Sequence, residues 1–168
     1  MKSNISQNNY SGELSINPFD LDLNINLSNY KILNLFNFND LLIEFIKSEL
    51  LFNENINVKT SININSNNKK ELFQNANINF NIIGGKINLD NTKFVNKRIG
   101  LLNLNNSNLF LENNNLVLNA DVLFDIKNHD RLFAFLNTNK EARKNFKNVL
   151  INFDYIFLRN EIKFNNIK

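Results

Sequence analysis

The sequence predicts a mainly β fold with minor α content, built as an antiparallel β-meander with short amphipathic helices. Two observations support this fold class. Apolar and polar residues alternate along nearly the whole chain of 168 residues, and a period of two places one residue type on each face of a strand. Two segments, near residues 39–49 and 128–147, instead show helical spacing. Because helices do not alternate with strands, a βαβ arrangement is excluded.

Composition narrows the classes of function. A chain of 19.6 kDa with 43% hydrophobic residues and 16 Phe has enough apolar material for one domain, which we assign to residues 1–168. The chain has no Cys, and its only His is His129, which excludes thiolate zinc sites, disulfides, Cys nucleophiles and multi-histidine metal centres. The net charge of +3 comes from scattered Lys and Arg, so we expect no nucleic acid partner.

Alternating runs define the strands of the first half of the chain. They lie at 21–27, 56–64 and 76–82, and the last run is followed by Gly84 and Gly85 and then by Ile87 and Leu89. A Gly-Gly pair supplies the positive φ values of a tight turn. We therefore predict a β-hairpin over residues 75–90.

The remaining elements follow in order. Leu42, Phe45 and Ile46 recur at helical spacing and predict the helix near 39–49. Further alternating runs lie at 102–104, 109–111, 116–126, 149–157 and 162–167. Between them, a stripe of Leu132, Phe135 and Leu136 predicts one helix, and a capping box of Thr138 and Glu141 predicts the start of another.

Candidate chemical motifs are few, and each is typical of ordinary structure. His129, Asp130 and Arg131 adjoin, but sequence neighbours on a helix do not face each other, and acidic or basic groups at a helix start are common capping partners. Asp20 and Asp22 share one strand face without the further oxygen ligands that calcium needs. We predict no catalytic residue, no metal ligand and no cofactor.

The sequence as it stands predicts neither a signal peptide nor a transmembrane segment. Its longest uninterrupted apolar runs, such as 41–43 and 50–52, are far shorter than the roughly 20 residues that span a bilayer. The first residues, 1–4, do not lead into the apolar region of a signal peptide.

The alternation by itself leaves two interpretations open. Strands with one apolar face require a cover for that face. A closed sandwich or barrel, serving as a structural or adhesive module, would provide it from within the chain. An open curved sheet would instead present a concave apolar face to acyl chains.

The order of features resembles a known family. The entry strand at 11–19 (SGELSINPF) is similar to its "G-x-I-x-I-x-P" strand start, and the strand 21–27 and a short helix follow. The hairpin region 73–89, the strand start 100–107, the helical interruption 130–147 and the return strand 149–155 come in the family's order. Together these features resemble the C-terminal region of the AsmA-like envelope proteins of Gram-negative bacteria, in a low-GC version.

This resemblance implies a fold and a function. The chain would be part of a longer repeat sheet that curves into an open apolar groove, in a periplasmic protein held in the inner membrane by an N-terminal anchor that this chain lacks. The groove would carry phospholipid acyl chains between the inner and outer membranes, without catalysis. From strand parity we choose nine candidate groove residues: Ile62, Ile64, Ile78, Phe80, Ile82, Leu116, Leu118, Phe153 and Tyr155.

Overall fold

The computed structural model describes residues 8–32, 34, 48, 50–68, 71–113 and 115–168. These residues confirm the mainly β fold class, because ten strands form one sheet and a single α-helix accompanies them. The strands are β1 (Asn9–Ile16), β2 (Phe19–Ser28), β3 (Ile56–Asn65), β4 (Asn75–Ile83), β5 (Lys86–Asn88), β6 (Lys93–Asn96), β7 (Gly100–Glu112), β8 (Asn115–Ile126), β9 (Asn148–Ile156) and β10 (Glu161–Ile167). The α-helix is α1 (His129–Phe135), and 3-10 turns lie at Leu50–Phe52, Lys140–Ala142 and Phe157–Arg159.

The sheet follows chain order from β1 to β10, with β5 and β6 sharing the position between β4 and β7. Neighbouring strands of the sheet are antiparallel except β2 and β3, which pair in parallel. The predicted antiparallel meander is therefore confirmed at every neighbouring pair except this one. The alternation could not reveal the exception, because side chains alternate with a period of two in both kinds of ladder. The edge strands β1 and β10 do not pair with each other, so the sheet is open.

Strand register places apolar residues of every strand on one face. Residues that are directly opposite each other on neighbouring strands point to the same face. A single row of such partners crosses the whole sheet, and it is apolar at every position: Leu14, Leu21, Val58, Ile82, Ile87, Leu109, Leu118, Tyr155 and Ile162. The sheet thus has one continuous apolar face.

The predicted hairpin over residues 75–90 is confirmed. Strands β4 and β5 are antiparallel, and the turn between them consists of Gly84 and Gly85. Both glycines have positive φ, at 55° and 71°, as a two-residue type I′ turn requires. A Cβ on Gly85 would lie 2.6 Å from the backbone oxygen of Phe52, whereas a Cβ on Gly84 would meet nothing within 4 Å.

The first predicted helix, near 39–49, lies outside the described residues except for Ser48. In the second region, near 128–147, the structure has α1 and the short 3-10 turn. The side chain of Asn128 caps α1 by accepting a hydrogen bond from the backbone N–H of Arg131 at 3.0 Å.

Two details of the second helical region differ from the prediction. Leu132 is buried as expected, but its buried neighbour is Phe133, while Phe135 and Leu136 are exposed. The predicted capping box is wrong, because Thr138 donates its backbone N–H to the oxygen of Phe133 and so closes α1. The 3-10 turn that follows has no side-chain cap.

The opposite face of the sheet is mostly polar and is crossed by amide ladders, with an apolar group of Phe110, Val117 and Ile156 towards one end. Asn26 donates to Asn9 at 2.7 Å, Asn63 donates to Asn26 at 3.1 Å, and Asn77 donates to Asn63 at 2.7 Å. These four residues lie on four neighbouring strands. An Asn side chain both donates and accepts, so each one extends the ladder by one strand.

A second polar ladder centres on Asp121 in β8. Its two carboxylate oxygens accept hydrogen bonds from Asn106 and Asn152, each at 2.8 Å. Asn152 in turn accepts from Asn165 at 3.0 Å. Hydrogen bonds from the amide of Asn106 and, to a smaller extent, from that of Asn152 hold the pKa of the Asp121 carboxyl below its ordinary value. Both bonds favour the charged form of the carboxyl.

The turn glycines allow a matched prediction. Gly84→Ala should lower the free energy of unfolding by about 1 kcal/mol, because alanine is disfavoured at positive φ. Gly85→Ala should cost at least about 2 kcal/mol, since its methyl group also collides with the Phe52 backbone. Urea unfolding of both variants measures the difference, and equal costs would contradict the collision.

The Asp121 ladder predicts a dependence of stability on pH. The Asp121 carboxyl has a lower pKa in the folded protein than in the unfolded chain. Its charged form therefore stabilises the fold at pH values above the unfolded pKa, and this stabilisation is lost as the pH falls through the folded pKa. Asp121→Asn should therefore reduce the loss of stability that accompanies a fall in pH through and below the ordinary carboxyl pKa of 3.8. Asp20→Asn, in the exposed part of β2, is the control that makes the same chemical change outside this ladder. Identical pH profiles for Asp121→Asn and the wild type would refute the assignment.

Candidate functional site

A cavity of about 320 Å³ opens on the apolar face of the sheet. The strands β4, β6, β7, β8, β9 and β10 line it, together with the turn before β6 and the 3-10 turn after β9. Its lining consists of Ile78, Phe80, Leu89, Thr92, Phe94, Leu104, Leu109, Leu116, Leu118, Phe153, Tyr155, Phe157 and Ile162. Twelve of these thirteen residues are hydrophobic or aromatic, so the cavity is suited to an apolar ligand.

The structure brings six of the nine candidate groove residues together in this cavity. The six are Ile78, Phe80, Leu116, Leu118, Phe153 and Tyr155. Ile62 and Ile64 share the same face but pack in a neighbouring cluster with Ile78 and Phe94. Ile82, only 1% exposed, packs against Ile87, Leu109 and Leu116.

Curvature of the sheet creates the cavity. Three strand positions lie between β4 and β9, so four spacings of about 4.8 Å would place the two strands about 19 Å apart in a flat sheet. Yet Phe80 of β4 and Tyr155 of β9 line the same cavity. The sheet must therefore bend toward its apolar face.

Two adjacent irregularities interrupt the strands around the cavity. One sheet position is interrupted between the end of β5 at Asn88 and the start of β6 at Lys93. On the neighbouring strand β7, the register shifts between Asn105 and Asn108. Such interruptions and bulges bend a strand and increase its local twist.

Buried polar side chains bind the backbone at this break. The carboxylate of Asp90 accepts hydrogen bonds from both the backbone N–H and the hydroxyl of Ser107, each at 2.7 Å. The Ser107 oxygen also accepts from the backbone N–H of Leu89 at 2.7 Å. Ser107 is only 5% exposed, so these bonds satisfy groups that water cannot reach.

Thr92 performs the same role beside the cavity. Its hydroxyl accepts from the backbone N–H of Asn79 at 3.0 Å and donates to the Asn79 oxygen at 3.3 Å. This contact replaces a ladder pair that the interrupted strand does not make. Thr92 is 1% exposed and lines the cavity, so its hydroxyl is committed to the backbone rather than to a ligand.

The cavity reaches solvent near the β10 edge. Ile162 lines it and is 52% exposed. The ring of Tyr155 packs edge-on against Phe157, with centroids 4.7 Å apart, and the Tyr155 hydroxyl donates to the exposed Asn160 side chain at 2.6 Å. This part of the wall is therefore apolar inside and polar at its outer end.

The motifs that could suggest catalysis lie apart from this cavity. His129 begins α1, accepts a hydrogen bond from the backbone N–H of Phe146 at 3.3 Å, and packs between the rings of Phe133 and Phe146. Asp20 and Asp22 lie on the polar face of β2, opposite Ser15 and Glu13 of β1. Among the described residues, no group of three or more His, Asp or Glu side chains is placed to hold a metal ion.

A second, polar cavity of about 620 Å³ lies at the end of the sheet that carries α1. Lys97, Arg98 and Arg131 line it together with Glu71, and one oxygen of Glu71 is buried without a hydrogen-bond partner. Sequence reasoning missed this grouping, because its members come from three separate segments of the chain.

Comparisons of the chain with protein-family models, with curated proteins and with solved structures give no match. Across the part of the chain that the structure describes, no helix has the length and apolar character to cross a membrane.

The bonds at the break predict a stability effect. Ser107→Ala removes the hydroxyl that donates to Asp90 and accepts from the backbone N–H of Leu89, and should lower the free energy of unfolding by about 1–3 kcal/mol. Ser15→Ala, in the exposed strand β1, is the control and should change it by less than about 0.5 kcal/mol. Equal effects in thermal and urea unfolding would show that the Ser107 contacts do not support the bend.

Proposed function

We propose that this protein is a non-enzymatic lipid carrier of the bacterial envelope, whose apolar sheet face holds phospholipid acyl chains. The observation that supports this proposal is the cavity: its walls are almost entirely apolar, and it lies on a face where every strand of the sheet presents its apolar side. Burying each methylene of an acyl chain is worth about 0.8 kcal/mol. The face thus offsets much of the cost of holding a lipid tail in water.

The cavity takes part of a chain rather than a whole lipid. Its volume of about 320 Å³ is at the lower end of the range for small-ligand sites. Beyond it, the apolar face continues to the sheet edges, where Leu14 and Phe164 are 59% and 61% exposed. An acyl chain can therefore extend along the face, with its polar head group in water.

The cellular setting follows from the resemblance to AsmA-like proteins. In this proposal the chain is part of a longer repeat sheet in the periplasm, anchored in the inner membrane through a segment outside this chain. Phospholipid acyl chains move along the groove between the inner and outer membranes and support outer-membrane biogenesis. Transport of this kind needs no nucleophile, metal or cofactor, because no bond is made or broken.

A second candidate function is a structural or adhesive β-module without lipid. The observation that favours it is burial: Ile87, Leu116 and Ala120 are 0% exposed, as in the core of an ordinary domain. In that case the cavity would be a packing defect of this core, and it would stay empty or hold water.

A carboxylate placed in the cavity separates the two functions. Phe80→Asp should abolish lipid binding while the sheet stays folded, because water can reach the charge from an open groove. In a closed core the same charge is buried without a partner and should cost several kcal/mol, enough to unfold the domain. Leu14→Asp is the matched control: it adds the same charge to the same face, outside the cavity.

The measurement is mass spectrometry of phospholipid extracted from the purified proteins, with circular dichroism for the fold. Lipid in the wild type and Leu14→Asp, and none in a folded Phe80→Asp, supports the groove. Ile162→Asp places the charge at the exposed mouth and tests binding even if Phe80→Asp unfolds. Absence of phospholipid from the wild type, after exposure to phosphatidylethanolamine vesicles, overturns the proposal.

A further inference from the structure

The two edge strands expose apolar side chains on the same face of the sheet. On β1 these are Tyr10, Leu14 and Ile16, and on β10 they are Ile162, Phe164 and Ile167. All six are more than half exposed, from 52% for Ile162 to 83% for Tyr10. Edge strands with exposed apolar residues are templates for pairing with another strand, and a clustered apolar surface marks an interaction site.

The strand directions make the two edges compatible with each other. Every neighbouring pair from β3 to β10 is antiparallel, as is the pair β1 and β2, while β2 and β3 are parallel. Following these directions across the sheet, β10 runs opposite to β1. A second copy that continues the sheet beside β10, with its apolar face on the same side, therefore places its β1 antiparallel to β10 of the first copy.

Charge and side-chain size select one register for this contact. Glu13 lies on the polar face of β1, and Lys163 lies on the polar face of β10. Opposite charges that face each other across two strands stabilise the pair. If these two residues are opposite, antiparallel pairing places Ile162 opposite Leu14 and Phe164 opposite Gly12. Gly12 leaves room for the ring of Phe164, and the ring would in turn cover the exposed backbone of this edge glycine.

We propose that copies of this chain associate edge to edge, with β10 of one copy adding to β1 of the next in the register that pairs Lys163 with Glu13. The contact is heterologous, so a pair of copies still has one free β1 edge and one free β10 edge, and the assembly can grow. The apolar face then runs without interruption from one copy to the next. This proposal concerns the edges alone and does not depend on lipid binding. It requires that neighbouring copies, rather than further strands of the same chain, continue the sheet beyond β1 and β10.

Charge reversal tests the register in solution. Sedimentation of the wild type should show a mass that increases with concentration. Glu13→Lys and Lys163→Glu should each raise the concentration needed for association by about tenfold or more, because like charges face each other. The double variant should return to wild-type behaviour. A wild type that is monomeric at every concentration, or a double variant no better than the single ones, overturns the proposal.

Disulfide trapping tests the contact directly, since the chain has no cysteine of its own. Glu13→Cys and Lys163→Cys, mixed and oxidised by air, should form a covalent heterodimer. Each variant alone should form little dimer, because the two edges differ. Ser15→Cys mixed with Lys163→Cys is the control, offset by two residues on the same face. Equal trapping in both mixtures, or faster trapping of either variant with itself, contradicts the proposed edge pairing.

Discussion

The structure depends on one constraint: the alternation of apolar and polar residues stays in phase across every strand of the sheet. A slip of one residue at any ladder would send a whole strand's apolar side chains to the polar face. The row from Leu14 to Ile162 shows that the apolar faces of neighbouring strands stay aligned, and the register shift in β7 keeps Leu104 and Leu109 on the same face. The apolar face, the amide ladders and the cavity all follow from this agreement of register.

Asparagine is what makes the polar face more than a solvated surface. It makes up about a quarter of the chain, and the sequence by itself offers no reason to assign it a role. In the structure, Asn63 and its neighbours pair sideways between strands, and Asn29, Asn106 and Asn160 adopt positive φ. Asn is the residue after glycine that best tolerates this conformation, and the chain has only four glycines.

Sequence reasoning succeeded where the information is local. The period of two, the Gly84-Gly85 turn and the parity of residues such as Phe80 and Leu118 are properties of single segments. The parallel pair of β2 and β3, the contact of Asp90 with Ser107, and the joint lining of the cavity by β4 and β9 depend on which segments become neighbours. The predicted cap at Thr138 failed for the same reason, because Thr138 is held by the end of α1.

The parallel pairing of β2 and β3 has a consequence for the order of folding. The longest connection between later neighbours in the sheet runs from residue 127 to residue 147, whereas β2 meets β3 only after positions 29–55. Contacts between segments so distant in sequence carry a larger loop-closure cost and form slowly. We therefore expect the part from β3 onward to fold first as a unit, and the hairpin of β1 and β2 to dock on it in a separate, later kinetic phase.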